Sequence, residues 1–346
     1  MSQVKRRQLR PRDLEQLEYE ELLDTQLRDL PIAIEGTDIE TNLQHLYGEL
    51  EQRRIRHRPH VWISSEWFSP DGVPGFAVPF YLLHPRLQRL EKKMMLEAEG
   101  AGPRECMRIM RHECGHAICS AYRLHYKPRW RKAFGKYSQT YPTHYQPDPF
   151  SRKYVLHFQS WYAQAHPAED FAETFAVWLR PRSQWRRQYA GWPALAKLET
   201  VDQLFTELAE KPAAVRNRRF VDPLSDLSMT LRQHYRRKQR RYAEEWPEVY
   251  DRDLRRIFSD EERYRNRESA AGFLRRIRPR VRRVAADWTG HNQYNIDQVL
   301  KDMIDRCRDL KLRLACSRQA AEQGTLLLVT IQTMNYLHRG GHQYAI

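Results

Sequence analysis

Apolar residues recur at helical spacing along the first half of the chain and predict several α-helices. Leucines alternating with acidic residues over 12–30 predict one amphipathic helix. A second helix is predicted over 39–54, because Thr37 or Asp38 can cap its start. The third is predicted over 103–124, since proline is favoured at a first helical position.

The segment between the second and third helices predicts two short strands. Residues 60–83, "HVWISSEWFSPDGVPGFAVPFYLL", contain two runs of β-branched and aromatic residues separated by the turn-forming "SPDGVPG". We expect these strands to form a small sheet. Further helices are predicted over 167–180, between two prolines, and over 295–321. The long irregular stretch 127–160 is typical of a functional loop. Helices with a small sheet indicate the α+β class.

The C-terminal part of the chain differs from the rest in charge. Residues 211–346 contain 29 Lys and Arg against 17 Asp and Glu, whereas residues 1–210 contain 30 against 27. We therefore predict a first domain over 1–210 and a basic, mainly helical region over 211–346. Clusters such as "RRKQRR" (236–241) and "RRIRPRVRR" (275–283) suggest nucleic acid or another anionic partner. A solvated, arginine-rich helical surface is the ordinary alternative.

Composition excludes several classes of protein. The chain is 41% hydrophobic and 11% aromatic, which argues against disorder. No apolar run approaches the ~20 residues of a transmembrane helix, and the N-terminus lacks the apolar core of a signal peptide. The five cysteines are widely spaced without a Cys-x-x-Cys pair, which favours free thiols in a reducing compartment. We therefore expect a soluble, cytoplasmic protein without a membrane partner.

The stretch "RHECGHAI" (111–118) carries the candidate chemistry. Side chains four residues apart lie on one face of a helix, so His112 and His116 can bind the same metal ion. Glu113 can then face a water molecule on that ion. This His-Glu-x-x-His (HExxH) arrangement is typical of zinc hydrolases, in which three protein ligands leave one position open. The ordinary alternative is a helix with two partly buried histidines. Cys114 points to the opposite side and is predicted to be a core residue.

A third ligand is expected from residues 166–179, "HPAEDFAETFAVWL", in which His166, Glu169, Asp170 and Glu173 are candidates. Glu169 and Glu173 share a face beside much apolar surface, which indicates a buried polar site, because unpaired buried charge is costly. We predict that Glu169 binds the metal. Glu173 is expected to accept the second ring N–H of a ligating histidine and so to orient the imidazole. Asp170 is the alternative ligand, and His166 is expected to cap the helix.

These two segments resemble the bacterial zinc-binding metallopeptidases, gluzincin-like proteins of the zincin fold. The resemblance covers about residues 30–205 and is strongest in "HECGH" and in the "EDFAE" that begins at Glu169. In gluzincins the first glutamate of such a helix is the third zinc ligand, which implies the same role for Glu169. In the related lethal-factor type of peptidase, a tyrosine seven residues earlier helps to stabilise the oxyanion. Tyr162 occupies that position here.

Together these features predict a zinc metallopeptidase, a hydrolase with Zn²⁺ as its cofactor and a peptide or protein as its substrate. The zinc ion lowers the pKa of bound water towards ~7 and polarises the substrate carbonyl. Glu113 is the expected general base, which later protonates the leaving amine. Tyr162, or another tyrosine of residues 137–162, is expected to stabilise the oxyanion. A non-peptide amide substrate remains an alternative. A non-enzymatic binding or regulatory protein that uses the basic C-terminal region is another.

Overall fold

The computed structural model describes residues 10–142, 144–242, 251–337 and 342–343. Contacts divide the chain into two compact units: the first comprises the described residues of 1–94 and 98–234 with Gln343, and the second those of 95–97 and 235–342. The helices that begin in the first unit are α1 (Pro11–Gln16), α2 (Tyr19–Asp24), α3 (Asp38–Gln52), α4 (Pro85–Met95), α5 (Pro103–Tyr122), α6 (Pro128–Phe134), α7 (Pro167–Leu179), α8 (Trp185–Gln188), α9 (Ala194–Leu208) and α10 (Leu231–Tyr242). Its strands are β1 (His60–Ser64), β2 (Gly75–Pro79) and β3 (His144–Tyr145).

The elements of the second unit are short strands and longer helices. Its helices are α11 (Asp251–Leu254), α12 (Ala270–Thr289), α13 (Gln293–Asp309) and α14 (Arg318–Tyr336). Its strands are β4 (Phe258–Ser259) and β5 (Arg313–Leu314), and β6 is His342–Gln343. Short 3₁₀ helices along the chain cover Leu27–Asp29, Phe80–Leu83, Leu124–Tyr126, Gln159–Gln164, Leu224–Asp226 and Glu262–Tyr264.

The N-terminal helix predicted over 12–30 is wrong, because the chain breaks it into shorter pieces. Leu17 and Thr25 end α1 and α2 with extended backbone, at ψ 136° and 134°. Between them Glu18 starts a new helix, and its backbone N–H donates to the Glu21 carboxylate at 3.2 Å. Such a bond satisfies one of the free N–H groups at a helix start. Leucine spacing alone cannot show that the stripe belongs to two helices.

The small sheet expected between the second and third helices is present. β1 and β2 pair in parallel, with His60 opposite Gly75 and Ser64 opposite Pro79. The connection between the strands turns at Pro70, whose carbonyl accepts the N–H of Val73 at 3.1 Å. The described chain is mainly helical with this small sheet, which is compatible with the predicted α+β class.

Helices α5 and α7 form the centre of the first unit. Every residue of α7 is buried, as its largely apolar sequence predicts. α5 runs from Pro103, as predicted, to Tyr122, where Arg123 takes a left-handed conformation with φ 50° and ends it. On its other side α5 is tied to α3, because the Arg111 guanidinium donates two hydrogen bonds to the Glu49 carboxylate at 2.6 and 2.7 Å. Both side chains of this ion pair are almost buried.

The second unit has its own hydrophobic core between α12, α13 and α14. One face of α13 is buried in this core and is made of Ile296, Val299, Leu300, Met303, Ile304 and Cys307. The helix ends at Asp309, earlier than predicted, because Lys311 adopts a left-handed conformation with φ 51° and leads into β5. A buried carboxylate, Asp297, accepts hydrogen bonds from Arg278 and Arg282.

The two-domain division predicted at residues 210 and 211 stays a prediction. Several residues beyond 210 lie within the first compact unit. The Val215 N–H donates to the Ala121 carbonyl at 2.9 Å, and the Trp62 ring N–H donates to the Val221 carbonyl at 2.9 Å.

Among the described helices, none combines the length and the apolar character that a membrane span requires.

Candidate metal centre

Helices α5 and α7 bring two histidines and one glutamate to a single point. His112 and His116 lie on one face of α5, with their Nε2 atoms 3.1 Å apart. Glu169, in the first turn of α7, places its Oε2 atom 3.0 Å from the Nε2 of His112 and 3.2 Å from that of His116. Three potential ligand atoms therefore form a nearly equilateral triangle, and they belong to the three residues expected from the sequence to hold a metal.

Close packing of the two helices at Gly115 makes this triangle possible. A Cβ atom at Gly115 would lie 2.9 Å from the Cα of Ala172 and 3.2 Å from its carbonyl oxygen. Both atoms belong to the backbone of α7, so a side chain here would push the helices apart. Ala172 lies one helical turn after Glu169, and Gly115 directly precedes His116. The glycine therefore sets the distance between the carboxylate and the imidazoles.

The donor set and its spacing fit a catalytic zinc site. Two imidazole nitrogens and one carboxylate oxygen are the ligands of one class of catalytic zinc, and tetrahedral bonds of 2.0–2.1 Å separate ligand atoms by about 3.3 Å. The observed separations of 3.0–3.2 Å are close to that value. If both histidines are neutral with hydrogen on Nδ1, all three facing atoms carry lone pairs, which a cation satisfies.

The other side of His112 faces a second buried carboxylate. Its Nδ1 atom is buried without a hydrogen-bond partner among the described residues, and the Oε1 atom of Glu173 lies 3.9 Å away. At this distance the predicted hydrogen bond is not formed. Both oxygens of Glu173 instead accept the backbone N–H of Phe158, at 3.2 and 3.3 Å. The Phe158 ring covers His112, with their centroids 4.8 Å apart.

The charges of the three facing residues are strongly coupled. Burial acts to raise the pKa of Glu169, but the charge of His116 and the hydrogen bonds of both histidines outweigh burial and hold this pKa well below its usual value. Burial acts to lower the pKa of His116, yet Glu169 raises it to about 9. For His112 burial dominates and lowers the pKa. Each opposite charge favours the ionised partner.

Glu113 is buried next to this cluster. Burial raises its pKa to about 8, His116 acts against the rise, and the charges of Glu169 and Glu99 add to it. A carboxyl group whose pKa lies near neutrality suits proton transfer at physiological pH.

Two tyrosines lie at the site, and they differ in what they contact. The Tyr141 hydroxyl donates to the Oε1 atom of Glu169 at 2.8 Å. Tyr162, the tyrosine predicted to stabilise the oxyanion, is buried in the 3₁₀ helix Gln159–Gln164, and its ring centroid lies 5.9 Å from that of His112. Both tyrosines are therefore candidates: the Tyr141 hydroxyl is hydrogen-bonded to Glu169, and the Tyr162 ring lies beside the His112 ring.

The remaining predicted residues of α7 point away from the triangle. Asp170 accepts a hydrogen bond from the Lys197 ammonium at 2.5 Å, so this alternative ligand forms a buried ion pair. His166 caps α7, since its Nδ1 atom accepts the N–H of Ala168 at 3.1 Å. Its Nε2–H donates to the Gln139 carbonyl at 3.0 Å, so both ring nitrogens are used. Cys114 is fully buried, as predicted.

Sequence reasoning missed Phe158 and the packing role of Gly115. Phe158 follows the irregular stretch after β3, where no periodic pattern indicates which aromatic residue contacts the helices. The glycine within "HECGH" carried a usable signal, because a glycine inside a helix is unfavourable and often marks close packing.

Comparison with known proteins identifies a family for the central part of the chain. Neither a curated protein nor a solved structure matches the sequence. Residues 92–236 match the family described as "Putative zinc-binding metallo-peptidase". This range contains α5, α7 and all residues of the triangle. Over residues 92–236 the family resemblance inferred from the sequence is therefore confirmed.

Proposed function

We propose that the protein is a zinc-dependent peptidase with a zincin-like catalytic domain, in which His112, His116 and Glu169 hold the metal. The triangle of ligand atoms, with sides of 3.0–3.2 Å, is the observation that carries this proposal. Bound there, Zn²⁺ would supply Lewis acidity, lowering the pKa of water and polarising a carbonyl group.

Within this site Glu113 acts as the general base. Its carboxylate takes a proton from the attacking water and later gives it to the leaving amine. Burial supports this role, because a carboxyl group removed from bulk water is stabilised in the protonated form that arises midway through the reaction. Phe158 limits the access of bulk water to His112, which strengthens electrostatic interactions in the site.

The developing oxyanion needs a hydrogen-bond donor close to the metal. The Tyr141 hydroxyl, which holds Glu169, and the Tyr162 hydroxyl are the two candidates. Tyr162→Phe and Tyr141→Phe separate the two. The tyrosine that stabilises the oxyanion lowers kcat without reducing zinc affinity, whereas loss of the Tyr141 contact to Glu169 also weakens metal binding.

Substitution of Glu113 by glutamine tests the proposed chemistry. The variant keeps the shape of the side chain but cannot accept the proton, so turnover of a peptide library should fall by a factor of roughly 10²–10⁴. Zinc content, measured by elemental analysis, should stay at that of the wild type. Full activity in Glu113→Gln would exclude this residue as the base.

Metal content of ligand variants tests the triangle separately. His112→Ala and Glu169→Gln should lose zinc, whereas His45→Ala, which removes an exposed histidine of α3, should retain it. Retention of zinc in all three variants would contradict the proposed site. If zinc is bound but a peptide library is not cleaved, acylated amines and other amides are the next substrates to assay.

The five cysteines are free, which supports our further proposal of a reducing, cytoplasmic location.

A further inference from the structure

Helix α10 presents one face made of arginines. Arg236, Arg237, Arg240 and Arg241 are all exposed, whereas the apolar residues Leu231 and Tyr235 are fully buried. At 100° per residue, the four arginines fall within an arc of about 140°. The helix therefore has a buried apolar side and a continuous cationic side, which we call the arginine face.

Three members of the arginine face take part in no ion pair within the part of the chain that the structure describes. Arg236, Arg237 and Arg240 form no ion pair with any described residue. Three other exposed arginines of the second unit do have acidic partners: Arg255 pairs with Asp260 at 2.7 Å, Arg263 with Glu261 at 2.9 Å and Arg265 with Glu262 at 2.9 Å. Like charges four residues apart destabilise a helix, so the arginine face carries a cost that the paired arginines avoid.

We propose that the arginine face of α10 binds the phosphate backbone of a nucleic acid. Arginine presents a fork of N–H donors that matches phosphate oxygens. Residues 236–241 span about 7.5 Å of helix axis, and phosphates recur every ~3.4 Å along one strand of a duplex, so two or three phosphates fit the face. The interaction is independent of the metal centre.

Two other classes of anionic partner fit the arginine face less well. Insertion into a membrane surface needs exposed apolar side chains opposite the basic ones, and Leu231 and Tyr235 of α10 are buried in the fold. The hot spots of a protein interface lie in well-packed, desolvated pockets, whereas the four arginines of this face are exposed on the surface of one helix. A nucleic acid backbone carries negative charges at regular intervals, so cationic side chains alone are sufficient to bind it.

A salt titration with two matched triple variants tests the proposal. The probes are a fluorescein-labelled 20-nucleotide single strand and the corresponding duplex, titrated with full-length protein between 50 and 200 mM salt. In Arg236→Gln/Arg237→Gln/Arg240→Gln, the slope of log K against log salt should fall in magnitude by about 2 to 3, and binding at 50 mM salt should weaken at least tenfold. The control, Arg255→Gln/Arg263→Gln/Arg265→Gln, loses the same charge from arginines that have acidic partners and should keep the wild-type slope within about 1.

Four outcomes would overturn the proposal. One is that the wild type does not bind either probe at 50 mM salt. Another is that both triple variants lose the same slope, because binding would then follow net charge alone. A third is that anionic vesicles or a polyglutamate peptide bind as tightly as DNA at equal salt. Circular dichroism checks the fold, and a triple replacement of the same arginines by lysine, which keeps the charge, should retain the wild-type slope. Loss of the slope in the lysine variant would also overturn the proposal.

Discussion

Replacement of Gly115 by alanine tests whether the approach of α5 to α7 sets the metal centre. The new Cβ would meet the backbone of Ala172 at 2.9 Å, whereas ordinary contacts begin at 3.4 Å, so the helices must separate by about 0.5 Å. Such overpacking costs about 1–3 kcal/mol. Alanine returns up to about 1 kcal/mol through its higher helix propensity. The separation also draws Glu169 away from both histidines, and because metal–ligand distances tolerate only about 0.2 Å, zinc affinity should fall roughly tenfold or more.

Gly48→Ala is the matched control for this substitution. Gly48 lies inside α3, and a Cβ there meets nothing within 4 Å. The propensity gain is shared by the two variants and cancels in their difference, which leaves the overpacking cost of about 1–3 kcal/mol. Urea unfolding of the metal-free variants measures this difference, and competition with a chelator measures zinc affinity. If Gly115→Ala is stabilised as much as Gly48→Ala and binds zinc as tightly as the wild type, the close helix contact does not control the site.

Three further predictions concern the surroundings of the site and the thiols. Arg111→Met leaves the buried Glu49 carboxylate unpaired, so the free energy of unfolding measured in urea should fall by about 3–5 kcal/mol. Adding Glu49→Leu should recover most of that loss. A small effect of Arg111→Met alone would contradict the role of the pair. Burial lowers the pKa of His157 from 6.5 to about 3, so the folded state binds a proton at this residue less readily than the unfolded state does. The free energy of unfolding should therefore fall as pH decreases from about 6.5 towards 3, by at most about 1.4 kcal/mol per pH unit. His157→Gln should remove this contribution from unfolding curves measured across that range, and an unchanged pH dependence would argue against it. Only Cys316 is exposed, so one thiol should react rapidly with Ellman's reagent in the native protein and five after unfolding; several fast thiols before unfolding would show that the buried cysteines are accessible.

The sequence predicted the elements whose signals are local. The spacing of His112 and His116 specifies a shared helix face, and the prolines around 167–180 specify the limits of the helix that carries Glu169. The capping role of His166 follows in the same way from its position before Pro167. For these residues, chemistry and position along the chain are sufficient.

Features that depend on tertiary packing could not be predicted. Whether the leucines of 12–30 form one helix or two depends on backbone conformation at Leu17, which its residue type does not specify. Tyr141 and Tyr162 are the same residue type, so the sequence does not distinguish them. Only the folded path of the chain shows that the Tyr141 hydroxyl reaches Glu169. The 3.9 Å gap between His112 and Glu173 likewise reflects how Phe158 approaches the helix.

His166 links the conformation of the loop that contains Gln139 and Tyr141 to the position of the candidate metal ligand Glu169. This imidazole caps α7, holds the Gln139 carbonyl and stacks on Tyr141 with centroids 3.7 Å apart, while Tyr141 holds Glu169. Movement of Tyr141 away from α7 would break its stack on His166 and, at the same time, its hydrogen bond to the Glu169 carboxylate. Proteolytic cleavage after the tyrosine should therefore slow when zinc is bound, so susceptibility to chymotrypsin can serve as a readout of metal loading without any substrate. Grafting a different loop to alter substrate preference must preserve this aromatic pair.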